Sequence, residues 1–153
     1  MRVSDRCPMS RRNTWESYRQ IATQTASPNQ LVLMLYDGAI RFLERARLGF
    51  LEEDPLEYNR TVNNNVLRAQ DIINELNRSL DMSKGGEFSA NMRRLYTYLD
   101  RRLQESNERK DEEAIKEVIN RVTVLRDAWA QMLESQKAVR TPVAASDSLS
   151  ACI

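Results

Sequence analysis

The sequence predicts an all-α fold, an antiparallel up-down four-helix bundle preceded by a short N-terminal helix or cap segment. Three observations carry that expectation. Apolar residues recur at alternating spacings of three and four through four long stretches, the pattern of a bundle seam. Ser27-Pro28 and Asp54-Pro55 are helix-start signals, because Ser or Asp can cap free amide groups and Pro fits the first helical position. Glycine and proline number four each in 153 residues, too few to punctuate many short strands. The length suits one domain with a proper core. Residues 1–13 read as an unstructured extension, 14–136 as the bundle domain and 137–153 as an unstructured polar tail.

Taken in order, residues 14–23 can form a short helix with Trp15, Tyr18 and Ile21 on one side, too short to stand alone. The first long helix is expected over about 28–52 and the second over about 55–81, joined tightly enough to be antiparallel neighbours. In the second, Val62, Val66, Ala69, Ile73, Leu76 and Leu80 form the seam. Gly85 and Gly86 permit the left-handed backbone of a chain reversal. A third helix follows over about 87–107, with Phe88, Met92, Leu95, Leu99 and Leu103 as its seam. Asp111 can cap a fourth helix reaching about 136, whose seam is Ile115, Val118, Val122, Leu125, Trp129 and Met132. Helices of this length span roughly 30 to 40 Å.

The totals exclude several kinds of function. Twenty-three Lys and Arg balance 22 Asp and Glu, so a net charge of +1 provides no field for gathering nucleic acid or an anionic membrane. The longest apolar run, Leu31 to Tyr36, falls far short of the ~20 residues of a membrane span, and the N-terminus lacks the apolar stretch of a secretory signal, so a cytoplasmic location is expected. Histidine is absent, which removes the commonest general base and transition-metal ligand, and Cys7 and Cys152 stand alone in the two tails. The carboxylates at 52–54 and 111–113 sit beside turns, where solvation and helix dipoles account for them. Arg93, Arg94, Arg101 and Arg102 have Glu87, Asp100 and Glu105 close by and read as an ion-paired face. No enzyme, cofactor or metal site is expected.

The first long helix carries more apolar surface than a core needs. Leu31, Leu35, Ala39, Phe42, Ala46 and Phe50 make one stripe, and Val32, Tyr36, Ile40 and Leu43 make a second, further round. Tyr96, beside Leu95 and Leu99, repeats the surplus on the third helix. Such a surface is either a wide core face or a groove for an amphipathic helix from another protein, and the segment at 14–23 can cover it in the free chain. A charge placed at Tyr36 or Ile40 is then expected to weaken partner binding and leave the helices intact.

The segment Thr25 to Ala46, TASPNQLVLMLYDGAIRFLERA, resembles the signature of the flagellin export chaperones, the FliS family. The similarity continues through LRAQDIINELNRSLD (67–81), GGEFSANMRRLYTYLDRRLQESN (85–107) and LRDAW (125–129). The resemblance implies a bundle that holds the disordered C-terminal segment of flagellin in the cytoplasm, prevents early polymerisation and hands the subunit to the flagellar type III export gate. It implies flagellin contacts at Tyr18, Tyr36, Ile40 and Tyr96, with Tyr18 helping to close or shape the groove, and the apolar patterning adds Ile21, Val32, Leu43 and Leu99 to the expected groove. Asp37 and Gly38 share the motif, Gly38 as a close-packing residue and Asp37 as a solvated or hydrogen-bonded polar one. Phe88, where the family usually has an aliphatic residue, and Ser106, where Ala is common, depart from the pattern. Two other readings remain open: a structural bundle that self-associates, a weak homodimer at the least, and a regulatory binder of another flagellar protein.

Overall fold

A computed structural model describes the backbone of residues 27–152 and the side chains of 27–139. The expected cap segment, with Tyr18 and Ile21, lies outside the described residues. Those described form four helices and no strand: α1 (Pro28–Gly49), α2 (Pro55–Arg78), α3 (Gly86–Arg109) and α4 (Glu112–Cys152).

The start signals act locally. Ser27 Oγ accepts from the Gln30 amide at 3.2 Å while Gln30 returns its side-chain oxygen to the Ser27 amide, a reciprocal cap ahead of Pro28. Asp54 accepts from the Glu57 amide ahead of Pro55. Gly86 takes the left-handed φ of +54° where the chain reverses into α3. The α3–α4 turn uses Lys110 at φ +53° instead, and Ser106 closes it by donating to the Asp111 carbonyl at 2.9 Å. Asp111 then accepts from the Glu113 amide at 3.0 Å, as its place before α4 suggested.

Neighbouring helices run antiparallel around a ring. Gly49 at the end of α1 faces Thr61 early in α2, and Gly38 faces Ile72 further along it. Gln70 of α2 donates to Asp100 of α3 at 3.1 Å, and Asn107 donates to Asn63 at 2.8 Å. Glu117 of α4 pairs with Arg102 of α3. Trp129, late in α4, donates to the Asn29 carbonyl at the start of α1, closing the ring. Burial along α2 follows its seam, with Val62, Val66, Ala69, Ile73 and Leu76 all inside.

Of the two readings open for the surplus on α1, the wide core face accounts for much of it: Leu35, Tyr36, Ala39, Leu43 and Ala46 are buried, a face centred between the two stripes. The cause is that α1 packs against both α2 and α4 and must be apolar through a wide arc. The tail expected to lack structure from 137 is instead helical, and α4 runs to Cys152. Its apolar seam still ends near Met132, and residues 134–139 are all exposed. Among the described residues no helix is long and apolar enough to cross a membrane.

Candidate docking cleft

The four seams are longer than the core they close, and the excess collects at one end of the bundle. There the start of α1, the end of α2, the start of α3 and the late part of α4 surround an open, mainly apolar cleft of about 580 Å³. From α1 come Val32 and Tyr36, and from the end of α2 and the turn after it come Leu76 and Leu80. Phe88, Met92 and Tyr96 stand on α3, and Leu125, Ala128, Trp129 and Met132 on α4. Phe88 is 61% exposed, far more than a core residue at its seam position would be.

The polar groups that line the cleft include a buried pair of phenols. Tyr36 and Tyr96 are buried, line the cleft and bond to one another through their hydroxyls. Burial pushes the Tyr36 phenol above its ordinary value, an effect that its bond with Tyr96 partly offsets. Burial, with Tyr36 alongside, pushes the Tyr96 phenol up as well. At the rim, Asp81 shapes the α2–α3 turn. Its carboxylate accepts from the Ser83 hydroxyl at 2.6 Å and from the amides of Ser83 and Lys84, and the Ser83 hydroxyl bond is the leading reason that its carboxyl titrates below the usual range. A smaller cleft of about 320 Å³ at the opposite end is lined by Glu44, Arg47, Leu48, Leu51 and Glu112, a far more charged wall.

The described residues expected on a groove divide into three sets, Tyr18 and Ile21 lying outside the described residues. Val32, Tyr36 and Tyr96 come together in the cleft. Ile40 lies further along α1, half-buried against the core and off the cleft. Leu43 and Leu99 are 0% exposed, which corrects their expected place on a surface: they occupy mid-bundle layers where all four helices close. Asp37 accepts from Arg126 Nε at 2.8 Å and ties α1 to α4, and Gly38 is buried against Ile72. Reading the sequence missed Phe88, Met92, Leu125, Trp129 and Met132 as cleft residues because each continues a core seam. The available signal was that these positions, with Leu80, all fall at the same end of an up-down bundle, beyond the last layer that four helices can close. Among the described residues no group of His, Cys, Asp and Glu could hold a metal ion.

Comparison with known proteins agrees with this architecture. Residues 11–136 match the family model described as "Flagellar protein FliS". The chain is 38% identical over 129 residues to the flagellar secretion chaperone FliS of Bacillus subtilis (strain 168), covering 84% of this chain and 92% of the relative. It is 40% identical over 122 residues to the protein of that name from Salmonella typhimurium, covering 76% and 87%. Against the Escherichia coli (strain K12) protein it is 36% identical over 133 residues, covering 84% and 95%. With a family match across most of its length and relatives aligned nearly end to end, the chain belongs to the FliS family of flagellar proteins.

Proposed function

We propose that this chain is a cytoplasmic export chaperone that holds the C-terminal segment of flagellin in the cleft at the open end of its bundle. Held there, the segment cannot polymerise, and the subunit is carried to the flagellar export gate. The family is one of secretion chaperones and not of enzymes. The observation that carries the reading is the open apolar cleft, with an aromatic side chain more than half exposed at Phe88. Exposed apolar surface of this kind suits an amphipathic segment that folds as it binds. Such coupled folding typically buries on the order of 1,000 to 3,000 Å², and apolar contact must offset the ordering cost.

A charge at Tyr36 no longer makes a clean test. That side chain is 2% exposed and bonded to Tyr96, so Tyr36→Asp would desolvate a carboxylate inside the bundle and damage the fold. Phe88→Asp is the better probe, since its exposure leaves the core untouched. Titration calorimetry with a peptide of the host's own flagellin C-terminal segment should show affinity reduced by about tenfold or more, with helical circular dichroism unchanged. Unchanged affinity removes the cleft from the binding surface. Failure of the unmodified chain to bind, together with a stable homodimer in light scattering, favours the self-associating bundle.

A further inference from the structure

We propose that the Tyr36–Tyr96 hydroxyl pair delivers one hydrogen-bond donor to the docked segment, and so selects a segment that carries an oxygen acceptor within its apolar stripe. The inference rests on the docking reading above and adds a specificity element to it. Two phenols bring two hydroxyl protons, and the bond between them uses one, whichever residue donates. Neither hydroxyl has another hydrogen-bond partner among the described residues, so one donor is unspent. Both phenols titrate above their ordinary range, so both protons stay in place at neutral pH. Of the neighbouring walls, Val32, Leu76 and Leu125 carry no side-chain acceptor, and the Met92 thioether is only a weak one.

While the cleft is open to solvent, water can take the unspent proton. A docked segment expels that water and must supply an acceptor of its own, or leave a buried donor unpaired. A wholly apolar helix face is therefore penalised, which discriminates among greasy segments that shape alone would admit. The acceptor is an oxygen from one of two sources: a Ser, Thr, Asn or Gln side chain on the docked face, or a backbone carbonyl freed at a helix end.

The test is a double-mutant cycle by titration calorimetry, using the full chain and the flagellin C-terminal peptide. Tyr36→Phe and Tyr96→Phe together keep the ring shapes and remove both hydroxyls, and replacing both partners at once strands neither of them. The double variant should bind the peptide about three- to tenfold more weakly. Replacing the acceptor residue of the peptide with Ala should weaken binding to the unmodified chain and have no further effect on the double variant. A loss in the double variant with no coupling to any peptide side chain assigns the acceptor to a backbone carbonyl. Unchanged affinity in the double variant overturns the inference and leaves docking standing, whereas no binding by the unmodified chain overturns both. If the double variant loses its helical signal, the single variants carry the test, and at least one must show the loss for the inference to stand.

Discussion

Gly38 and Gly49 both sit where α1 approaches α2, yet the structure gives them unequal roles. A Cβ at Gly38 would meet only the tip of the Ile72 side chain, at 3.3 Å, which can shift by a few tenths of an ångström. At Gly49 it would meet Thr61 Cγ2 at 2.9 Å, Thr61 Cβ at 3.0 Å and Val62 Cγ2 at 3.1 Å. Both of those residues are β-branched and stiff, so the helices themselves would have to move apart. Gly49→Ala should therefore cost about 1 to 3 kcal/mol of stability, the usual penalty for overpacking. Gly38→Ala should stay within about 1 kcal/mol of the parent, since better helix propensity offsets the slight crowding. Urea unfolding midpoints check the pair, and equal midpoints for the two variants would contradict the packing described. Reading the sequence marked Gly38 as a close-packing residue but could not rank it against Gly49, because that ranking depends on which α2 residues lie opposite.

Side-chain bonds tie neighbouring helices together beyond the packing of their seams. Between α3 and α4 the tie is Glu117, which accepts from Tyr98 at 2.7 Å and pairs with Arg102 at 2.8 Å and Arg121 at 3.1 Å. The Tyr98 bond, with help from the two arginines, holds its carboxyl below the ordinary carboxylate range. A lowered folded value means stability that is fully present above the unfolded value of about 4.5 and is lost as pH falls through the folded one. Glu117→Gln should thus melt a little below the parent at neutral pH, and the gap should narrow as the pH falls below the ordinary carboxylate range. The group is partly solvated, so the effect is small, under about 1 kcal/mol. A gap independent of pH would mean that Glu117 acts through shape alone. The four helices were legible because Ser27-Pro28, Asp54-Pro55, Gly86 and Asp111 punctuate the chain by local chemistry. The far end of α4 was not, since nothing packs on residues 134–139 to leave an apolar period, and the backbone continues as a helix without one.

On the scale of the whole bundle, closure at the middle and openness at one end are consequences of the same seams. Leu43, Leu99, Leu103, Ile115 and Val118 fill layers that exclude solvent, whereas Phe88, Trp129 and Met132 extend those seams to where the helices no longer close. The surplus of apolar surface was visible in the sequence, and so was its link to Val32, Tyr36 and Tyr96. Its address was not, because periodicity reports the angle of a residue around a helix and says nothing of which layer it occupies along the bundle. That is why Leu43 and Leu99, correct in angle, turned out to lie in closed layers, and why Phe88 was assigned to the core. The central claim is that flagellin's C-terminal segment docks at the cleft end and not elsewhere. It is tested most directly by placing a photo-crosslinking benzoylphenylalanine at Phe88 and, separately, at Leu51, which is 78% exposed at the opposite end, then irradiating each chain with flagellin and mapping the joined peptides. The account predicts that position 88 joins to the C-terminal segment of flagellin and position 51 does not; joining from 51 alone, or from neither, would contradict it.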